Sequence, residues 1–314
     1  VDGGTIKLDG NYPVGTANVA LGDTALDSLT TGGYNAAVGY NSLGSNTTAN
    51  NNTALGYFSL SANTTGGTNT AVGGQSLLAN TTANGNTALG YNTLAVNTIG
   101  DSNTAVGALA LDANTTASQN TAVGKGALTA NTTGALNAAF GDGALQTATT
   151  ADGNTAVGSG SQLFTTTGAG NVSVGRIALF YNTTGESNVA IGKEALFSNT
   201  TASNNTAVGY RAGFSNTTGQ TNVAVGVSAM RSNTTGSENV AVGVNSFYYN
   251  TAGANNVALG QSALQNNTTA SDNSAVGYQA LYSNTTGTDN NAQGKSALWS
   301  NSTGSQNTAM GDGA

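Results

Sequence analysis

Apolar and polar residues recur along this chain with a fixed period of seventeen residues. Two adjacent copies show the pattern: NTALGYFSLSANTTGGT begins at Asn52, and NTAVGGQSLLANTTANG begins at Asn69. We number the seventeen positions of each copy from this asparagine, which opens eighteen copies between Asn18 and Asn307. Glycine occupies position five of every copy, and no insertion or deletion interrupts the series. A short fixed period of this kind is typical of a solenoid, in which each repeat stacks on the next.

Each copy predicts two short strands and a turn. Positions one to four, Asn-Thr-Ala-Val in the consensus, favour a strand because β-branched residues are common at positions two and four. The glycine at position five marks a bend, and positions six to ten, such as residues 57–61, predict a second strand. Positions twelve to seventeen, which begin Asn-Thr-Thr-Gly, are typical of a turn. Helices are the competing interpretation, but the segments between glycines are too short to form them.

Alternation along the first strand predicts which side chains point inward. Positions two and four share one face, and position four is Val, Leu, Ile, Phe or Met in every copy except at Gln293. With the leucine common at position nine, these positions are expected to form a thin core.

Position three lies on the opposite face of the strand and is alanine in every copy except at Ser173. A small apolar residue repeated so strictly on an outer face predicts close packing against another chain. The alternative is that alanine only fills a tight bend before the glycine. On the first interpretation the alanine row is a candidate oligomer interface, represented by Ala71, Ala88, Ala105 and Ala122.

Asparagine at position one and threonine at position thirteen are expected to stack on their equivalents from coil to coil. Ladders of identical amide and hydroxyl groups form hydrogen bonds along such a stack. The Asn-Thr-Thr triplets also match the acceptor pattern for N-glycosylation. A ladder explains their recurrence without a glycan, and the attachment of a glycan stays open at sites such as Asn63, Asn80, Asn114 and Asn131.

The predicted fold class is therefore all-β, a parallel β-solenoid (β-roll) with one seventeen-residue repeat per coil. Residues 18–314 comprise seventeen full copies and a truncated final copy. Residues 1–17 lie outside the repeat and are interpreted as an N-terminal cap or junction, because residues 5–8 alternate like a strand before a turn. Residues 142–170 are irregular, since position twelve changes to Ala148 and Thr165 and position nine to Gln162. We expect a softer or differently shaped segment there.

Aromatic residues become frequent at positions ten and eleven from residue 164 onward, whereas earlier copies hold residues such as Asp27, Ser61, Asp112 and Thr129 at position ten. Residues at one position of the repeat are expected to lie along one side of the stack. They are candidates either for a ladder that stabilises this half of the chain or for contact with a partner or a glycan. The position-ten candidates are Phe180, Phe197, Phe214, Tyr248, Tyr282 and Trp299.

Composition limits the chemistry that the chain can perform. It contains no histidine and no cysteine, so the usual base of a hydrolytic triad and the thiolate ligands of a metal site are missing. Its carboxylates fall at unrelated positions of the repeat. We therefore expect no enzyme activity, no catalytic residue, no cofactor and no metal. The net charge of −7 is spread without a run of either sign, which argues against a nucleic-acid partner. A helix needs about 20 apolar residues to span a bilayer, and no apolar run in the sequence approaches that length, so membrane insertion is not expected.

The phrase Asn-Thr-Ala-Val-Gly resembles the Asn-Ser-Val-Ala-Ile-Gly repeat of trimeric autotransporter adhesin heads. Those heads are parallel β-rolls in which three chains associate side by side, so the resemblance implies a homotrimer. It covers the strand and the glycine but not the Asn-Thr-Thr-Gly turn. The longer phrase and the opening residues 6–13, Ile-Lys-Leu-Asp-Gly-Asn-Tyr-Pro, resemble repetitive tail-fibre and virion structural proteins of marine phages. This resemblance implies an elongated fibre and no particular receptor.

These observations predict a structural fibre or stalk segment of a phage tail fibre or another virion appendage, or of a cell-surface or extracellular appendage. Its adhesive contacts would be multiplied by avidity. The expected partners are further copies of the chain and a host-surface glycan or protein. One alternative is a self-assembling extracellular filament, in which the end at Ala314 receives residue 1 of the next subunit. The other is a binding protein whose repeated face recognises a polysaccharide or, with less support, ice.

Overall fold

Each seventeen-residue repeat forms one coil of a parallel β-solenoid. In the computed structural model, which describes residues 6–7 and 15–314, a strand of three residues occupies positions two to four of every copy. Successive strands pair in parallel at a separation of seventeen residues, so that Thr70 lies opposite Thr87 and Val72 lies opposite Leu89. The prediction of an all-β solenoid with one repeat per coil is confirmed.

The chain divides into two compact units, Val1–Asn154 and Thr155–Ala314. The described part of each unit contains strands and turns and no helix, and accordingly no helix there could cross a membrane. The strands of the first unit are β1 (Ile6–Lys7), β2 (Val19–Leu21), β3 (Ala36–Val38), β4 (Thr53–Leu55), β5 (Thr70–Val72), β6 (Thr87–Leu89), β7 (Thr104–Val106), β8 (Thr121–Val123) and β9 (Ala138–Phe140). Those of the second unit are β10 (Thr155–Val157), β11 (Val172–Val174), β12 (Val189–Ile191), β13 (Thr206–Val208), β14 (Val223–Val225), β15 (Val240–Val242), β16 (Val257–Leu259), β17 (Ser274–Val276), β18 (Asn291–Gln293) and β19 (Thr308–Met310).

Strand β1 lies along the edge of β2 and pairs with it antiparallel, with Ile6 opposite Leu21 and Lys7 opposite Ala20. An antiparallel partner occupies backbone groups that would otherwise stay unpaired at the edge of a sheet. The pairing supports a cap at this end of the first unit. The rest of the expected strand, Thr5 and Leu8, and the expected turn at residues 9–11 lie outside the described residues, so the assignment of 1–17 stays a prediction.

The segment after the glycine is a pair of tight turns. Positions seven and nine adopt left-handed backbone angles, as at Phe58 (φ 55°) and Leu60 (φ 51°). The prediction of a second strand at positions six to ten is therefore wrong. Residues other than glycine rarely adopt this region, because the left-handed backbone costs each of them about 1–2 kcal/mol. The residue types at positions seven and nine therefore do not predict the turns. Glycine is required at position five, because a Cβ on Gly56 would lie 2.5 Å from the carbonyl oxygen of Gly73.

The interior is lined by the strand face opposite to the predicted one. The alanines proposed as an oligomer interface, Ala71, Ala88, Ala105 and Ala122, are fully buried within the single chain. Position four, by contrast, reaches solvent, and Leu89 is 46% exposed. The prediction that positions two and four point inward is wrong, and the alanine row cannot be an interface because it faces the interior of its own coil.

Leucine at position nine is buried, as predicted. In the second unit the position-three alanines, the position-nine residues and the alanines at position eight form one apolar cluster. The strand and the turn thus enclose a narrow space that only a small side chain can fill from position three. This narrowness is the physical reason for the repeated alanine.

Candidate functional site

Two ladders of buried asparagines join successive coils. At position one, the backbone N–H of Asn69 donates to Oδ1 of Asn52 at 2.9 Å, and its Nδ2 donates to the carbonyl of Ala83 at 2.8 Å. At position twelve, Nδ2 of Asn80 donates to Oδ1 of Asn63 at 2.9 Å and to the same Ala83 carbonyl at 3.2 Å. These asparagines are inaccessible to solvent. The interior of most coils therefore combines apolar side chains with a hydrogen-bonded amide network, as buried polar groups require.

Threonine at position thirteen forms a third ladder. Oγ1 of Thr64 donates to the backbone carbonyl of Thr81 at 3.0 Å, and the backbone N–H of Thr64 donates to the same carbonyl at 2.9 Å. The predicted ladders at positions one and thirteen are confirmed, with the hydroxyls bonding to carbonyls of the next coil.

The position-twelve ladder also bears on glycosylation. Nδ2 of Asn114 donates to Oδ1 of Asn97 at 2.8 Å and to the carbonyl of Ala117 at 3.0 Å, and the whole residue is buried. Asn63, Asn80 and Asn131 make the same pair of bonds. Both hydrogens of each amide are thus used inside the folded coil, and a glycan on that nitrogen would replace one of them, break its hydrogen bond and open the interior.

The irregular residues differ from their neighbours in hydrogen bonding, while their backbone keeps the same strand and turns. Ala148 supplies no amide at position twelve, and Oδ1 of Asn131 is left buried without a hydrogen-bond partner. In the second unit, the buried Nε2 of Gln162 donates to the carbonyl of Thr155 and to Oγ of Ser173, each at 2.9 Å. The polar exception at position nine, Gln162, and the exception at position three, Ser173, are therefore partners in one polar cluster.

The aromatic candidates lie in one column on the outer side of the second unit. The rings of Phe180 and Phe197 stack with centroids 5.3 Å apart and planes 6° apart, and those of Phe197 and Phe214 with centroids 5.1 Å apart and planes 4° apart. Tyr282 and Trp299 stack in the same way at 5.8 Å and 4°. The period thus brings these rings face to face.

Arg231 fills a gap in this column that the aromatic pattern leaves open. Its guanidinium carbon lies 5.7 Å from the ring centroid of Phe214 and 5.5 Å from that of Tyr248. Its Nη1 also donates to the hydroxyl of Tyr248 at 2.6 Å. A flat, weakly hydrated cation between two rings continues the stack through cation–π contacts. Sequence reasoning missed Arg231, although the spacing of seventeen places it at position ten.

A charged cluster adjoins the column. The carboxylate of Glu194 is hydrogen-bonded to Nε of Arg211 and lies 3.3 Å from Nζ of Lys193. The hydrogen bond from Arg211 is the main reason that the pKa of Glu194 lies below its ordinary value. The guanidinium of Arg211 lies over the rings of Tyr210 at 5.1 Å and Phe214 at 5.3 Å. Charges that are scattered in the sequence are therefore gathered here.

This geometry limits what the rings can bind. A sugar or a base stacks on a free aromatic face, and the inner rings of the column already use their faces on one another or on Arg231. The arrangement supports the stabilising ladder as the role of Phe180, Phe197, Phe214 and Tyr248. Among the described residues, no three acidic side chains converge as a metal site would require.

Comparison with known proteins gave no match to a family model, a curated protein or a solved structure.

Proposed function

We propose that this chain is a structural fibre segment, a stalk of a virion appendage or of a cell surface. The observation that carries the proposal is the pair of buried asparagine ladders, which fastens each coil to the next with the same bonds throughout most of each unit. A buried side chain whose hydrogen bonds go to its equivalents and to nearby backbone groups supports a stack of coils and offers no reactive group.

Stiffness follows from how the bonds between coils are arranged. Bending the stack opens one side of several neighbouring coils. Each coil boundary is held by the strand hydrogen bonds, two hydrogen bonds to asparagine side chains and one from a threonine hydroxyl. At about 0.5–1.5 kcal/mol net for each hydrogen bond, one boundary resists opening by several kcal/mol. Such a stack suits a mechanical role that holds an adhesive contact away from a surface.

The proposed partner is a second copy of the chain, bound through positions two and four. These positions form the outward face of the sheet, and neither carries a charged residue in any copy. In the second unit Val174, Ile191 and Val242 are 38%, 40% and 38% exposed. Ten strands at about 4.8 Å spacing give two parallel rows about 43 Å long. The position-four row is apolar except at Gln293, and the position-two row mixes valine with threonine, serine and asparagine.

A long uncharged face with half-exposed apolar residues along position four is a candidate interaction surface. Two or three identical rows can meet around one symmetry axis, and the likeness to adhesin heads favours three chains.

The test is sedimentation of the full chain together with electron microscopy of negatively stained particles. We expect oligomeric rods at micromolar concentration. The triple variant Val174→Glu/Ile191→Glu/Val242→Glu should sediment as a folded monomer with an unchanged circular dichroism spectrum. Its control, Thr184→Glu/Thr201→Glu/Thr218→Glu, places the same charge at the exposed position fourteen and should stay oligomeric. A wild-type monomer would contradict the interface, and compact particles would contradict the fibre.

A further inference from the structure

Four of the seven cationic residues of the chain occupy consecutive coils of the second unit: Arg176, Lys193, Arg211 and Arg231. They stand at positions six, six, seven and ten of their copies. Lys193, Arg211 and Arg231 are neighbours, because Lys193 and Arg211 both lie over the ring of Tyr210, and Arg211 and Arg231 both lie over the ring of Phe214. Arg176 stands at the same position as Lys193 in the adjacent coil. We call these four cations the basic band.

The basic band carries a charge opposite to that of the molecule. The carboxylate of Glu194 contacts the band and is shared between Lys193 and Arg211. Four cations and Glu194 give a local charge of +3, and the four coils, which also hold Glu186 and Glu238, carry a net charge of +1 on a chain whose net charge is −7. No structural bond between coils requires this excess, since most other coils of the second unit form the same ladders without it.

Lys193, Arg211 and Arg231 are held against neighbouring rings, and part of each side chain stays accessible. The guanidinium planes of Arg211 and Arg231 rest on aromatic rings, and the side chains of Lys193 and Arg211 are 48% and 34% exposed. An oriented guanidinium binds carboxylate or sulfate groups through paired hydrogen bonds. Less side-chain freedom is lost on binding when the side chain is already held in place.

We propose that the basic band binds an acidic polysaccharide through its carboxylate or sulfate groups. The four coils span about 14 Å along the stack at about 4.8 Å per coil, which suits a few consecutive residues of an extended polymer. Nucleic acid fits less well, because the inner ring faces are already stacked and a base has no free platform there. This inference goes beyond the role of a fibre and does not depend on whether the chain oligomerises.

The experiment measures binding of the full chain to immobilised dextran sulfate and polygalacturonate, with neutral dextran as the uncharged probe. Arg176→Gln/Lys193→Gln removes two cations at position six of the basic band. Lys125→Gln/Lys295→Gln is the matched control, since it removes two cations at the same position elsewhere. We expect the first variant to weaken binding by about fivefold to tenfold and the control by less than about twofold, given the modest strength of exposed charge contacts. Arg231→Gln should weaken binding as well.

Several results would overturn the proposal. Failure of wild type to bind either acidic polymer would do so, as would an equal loss in the Lys125→Gln/Lys295→Gln control, which would show that only overall charge matters. Tighter binding to single-stranded DNA than to dextran sulfate would replace the polysaccharide by nucleic acid. Melting curves and sedimentation of each variant separate a loss of binding from a loss of fold or of assembly, so the fibre proposal is tested independently.

Discussion

The column of side chains at position ten is the clearest difference between the two units. In the first unit this column holds small, polar or aliphatic residues: Asp27, Gly44, Ser61, Leu78, Ala95, Asp112, Thr129 and Gln146. In the second unit the stacked rings of Phe180, Phe197 and Phe214 continue through Arg231 to Tyr248. Gln265 separates them from the stacked pair Tyr282 and Trp299. Both units nevertheless share the strand, the left-handed turns, the buried alanine and the asparagine ladders.

This difference indicates that the interior and the turns specify the coil. The residue at position ten can vary without changing the coil and can therefore serve another role. Position ten is not fully exposed in the first unit, since Oδ1 of Asp112 is buried without a hydrogen-bond partner and burial raises the pKa of this carboxyl. In the second unit, aromatic rings at position ten occupy the same half-buried place and stack on one another. We therefore expect the column to stabilise the second unit.

The largest effect should come from the feature that the units share. Ala105→Glu in the first unit and Ala224→Glu in the second should each prevent stable folding, because an unpaired charge would enter a closed interior. We expect each to lower the free energy of unfolding by more than about 4 kcal/mol. Circular dichroism and yield of soluble protein measure the outcome. Thr65→Glu and Thr184→Glu, at exposed positions of the same two units, are the controls. Normal melting of either alanine variant would show that the interior is assigned wrongly.

Removing one ring from the middle of the column should have the next largest effect. Phe197→Ala deletes a half-buried ring that stacks on two others, and we expect a loss of about 2 kcal/mol in the free energy of unfolding. Ser61→Ala at the same position of the first unit should change it by less than about 0.5 kcal/mol. Urea denaturation of both variants provides the measurement. Equal effects would remove the distinction between the two columns.

The repeat period was enough to predict the coil, the first strand and the ladders, because a fixed register makes each residue face its own equivalent. It could not predict which strand face is inside. Alternation separates two faces, and the larger residues at position four, such as Val72 and Leu89, favoured the wrong one. The decisive quantity is the width of the interior, which depends on the left-handed turn at position nine. That turn is formed by leucine, a residue that gives no sign of it.

The ring column could be predicted for the same reason as the coil, but the place of Arg231 within it could not. Arg231 shares the spacing of the rings, yet its charge suggests a solvated side chain until its neighbours Phe214 and Tyr248 are placed beside it. The basic band was likewise hidden, because positions six, seven and ten become neighbours only through the turn.

A smaller effect, here a gain in stability, is expected where the first unit lacks an asparagine at position twelve. Ala148→Asn would give Oδ1 of Asn131 the donor that it lacks and should raise the free energy of unfolding by about 1 kcal/mol. Ala148→Asp has nearly the same shape but presents no amide hydrogen, and it should destabilise the unit. A stabilising Asp variant, or an Asn variant without gain, would contradict this account of the break in the ladder.

The smallest effect concerns the ion pair beside the column. Because Arg211 lowers the pKa of Glu194, the pair contributes stability above the ordinary carboxyl value of 4.5, and this contribution is lost as the pH falls through the lowered value. The melting temperature of Glu194→Gln should therefore lie slightly below that of wild type at neutral pH. The two should converge in acid. A difference independent of pH would show that the carboxylate charge is not the cause.

Each coil makes the same hydrogen bonds to the coil before it and to the coil after it, and this sameness has a genetic consequence. If residues 52–68 were deleted, Asn69 would meet Asn35 and form the bond that Asn52 forms now. Unequal recombination between tandem copies of the coding sequence can therefore add or remove seventeen codons at a time and still encode a folded product. Length becomes a heritable trait that can change in whole steps, while the residues at each position evolve separately.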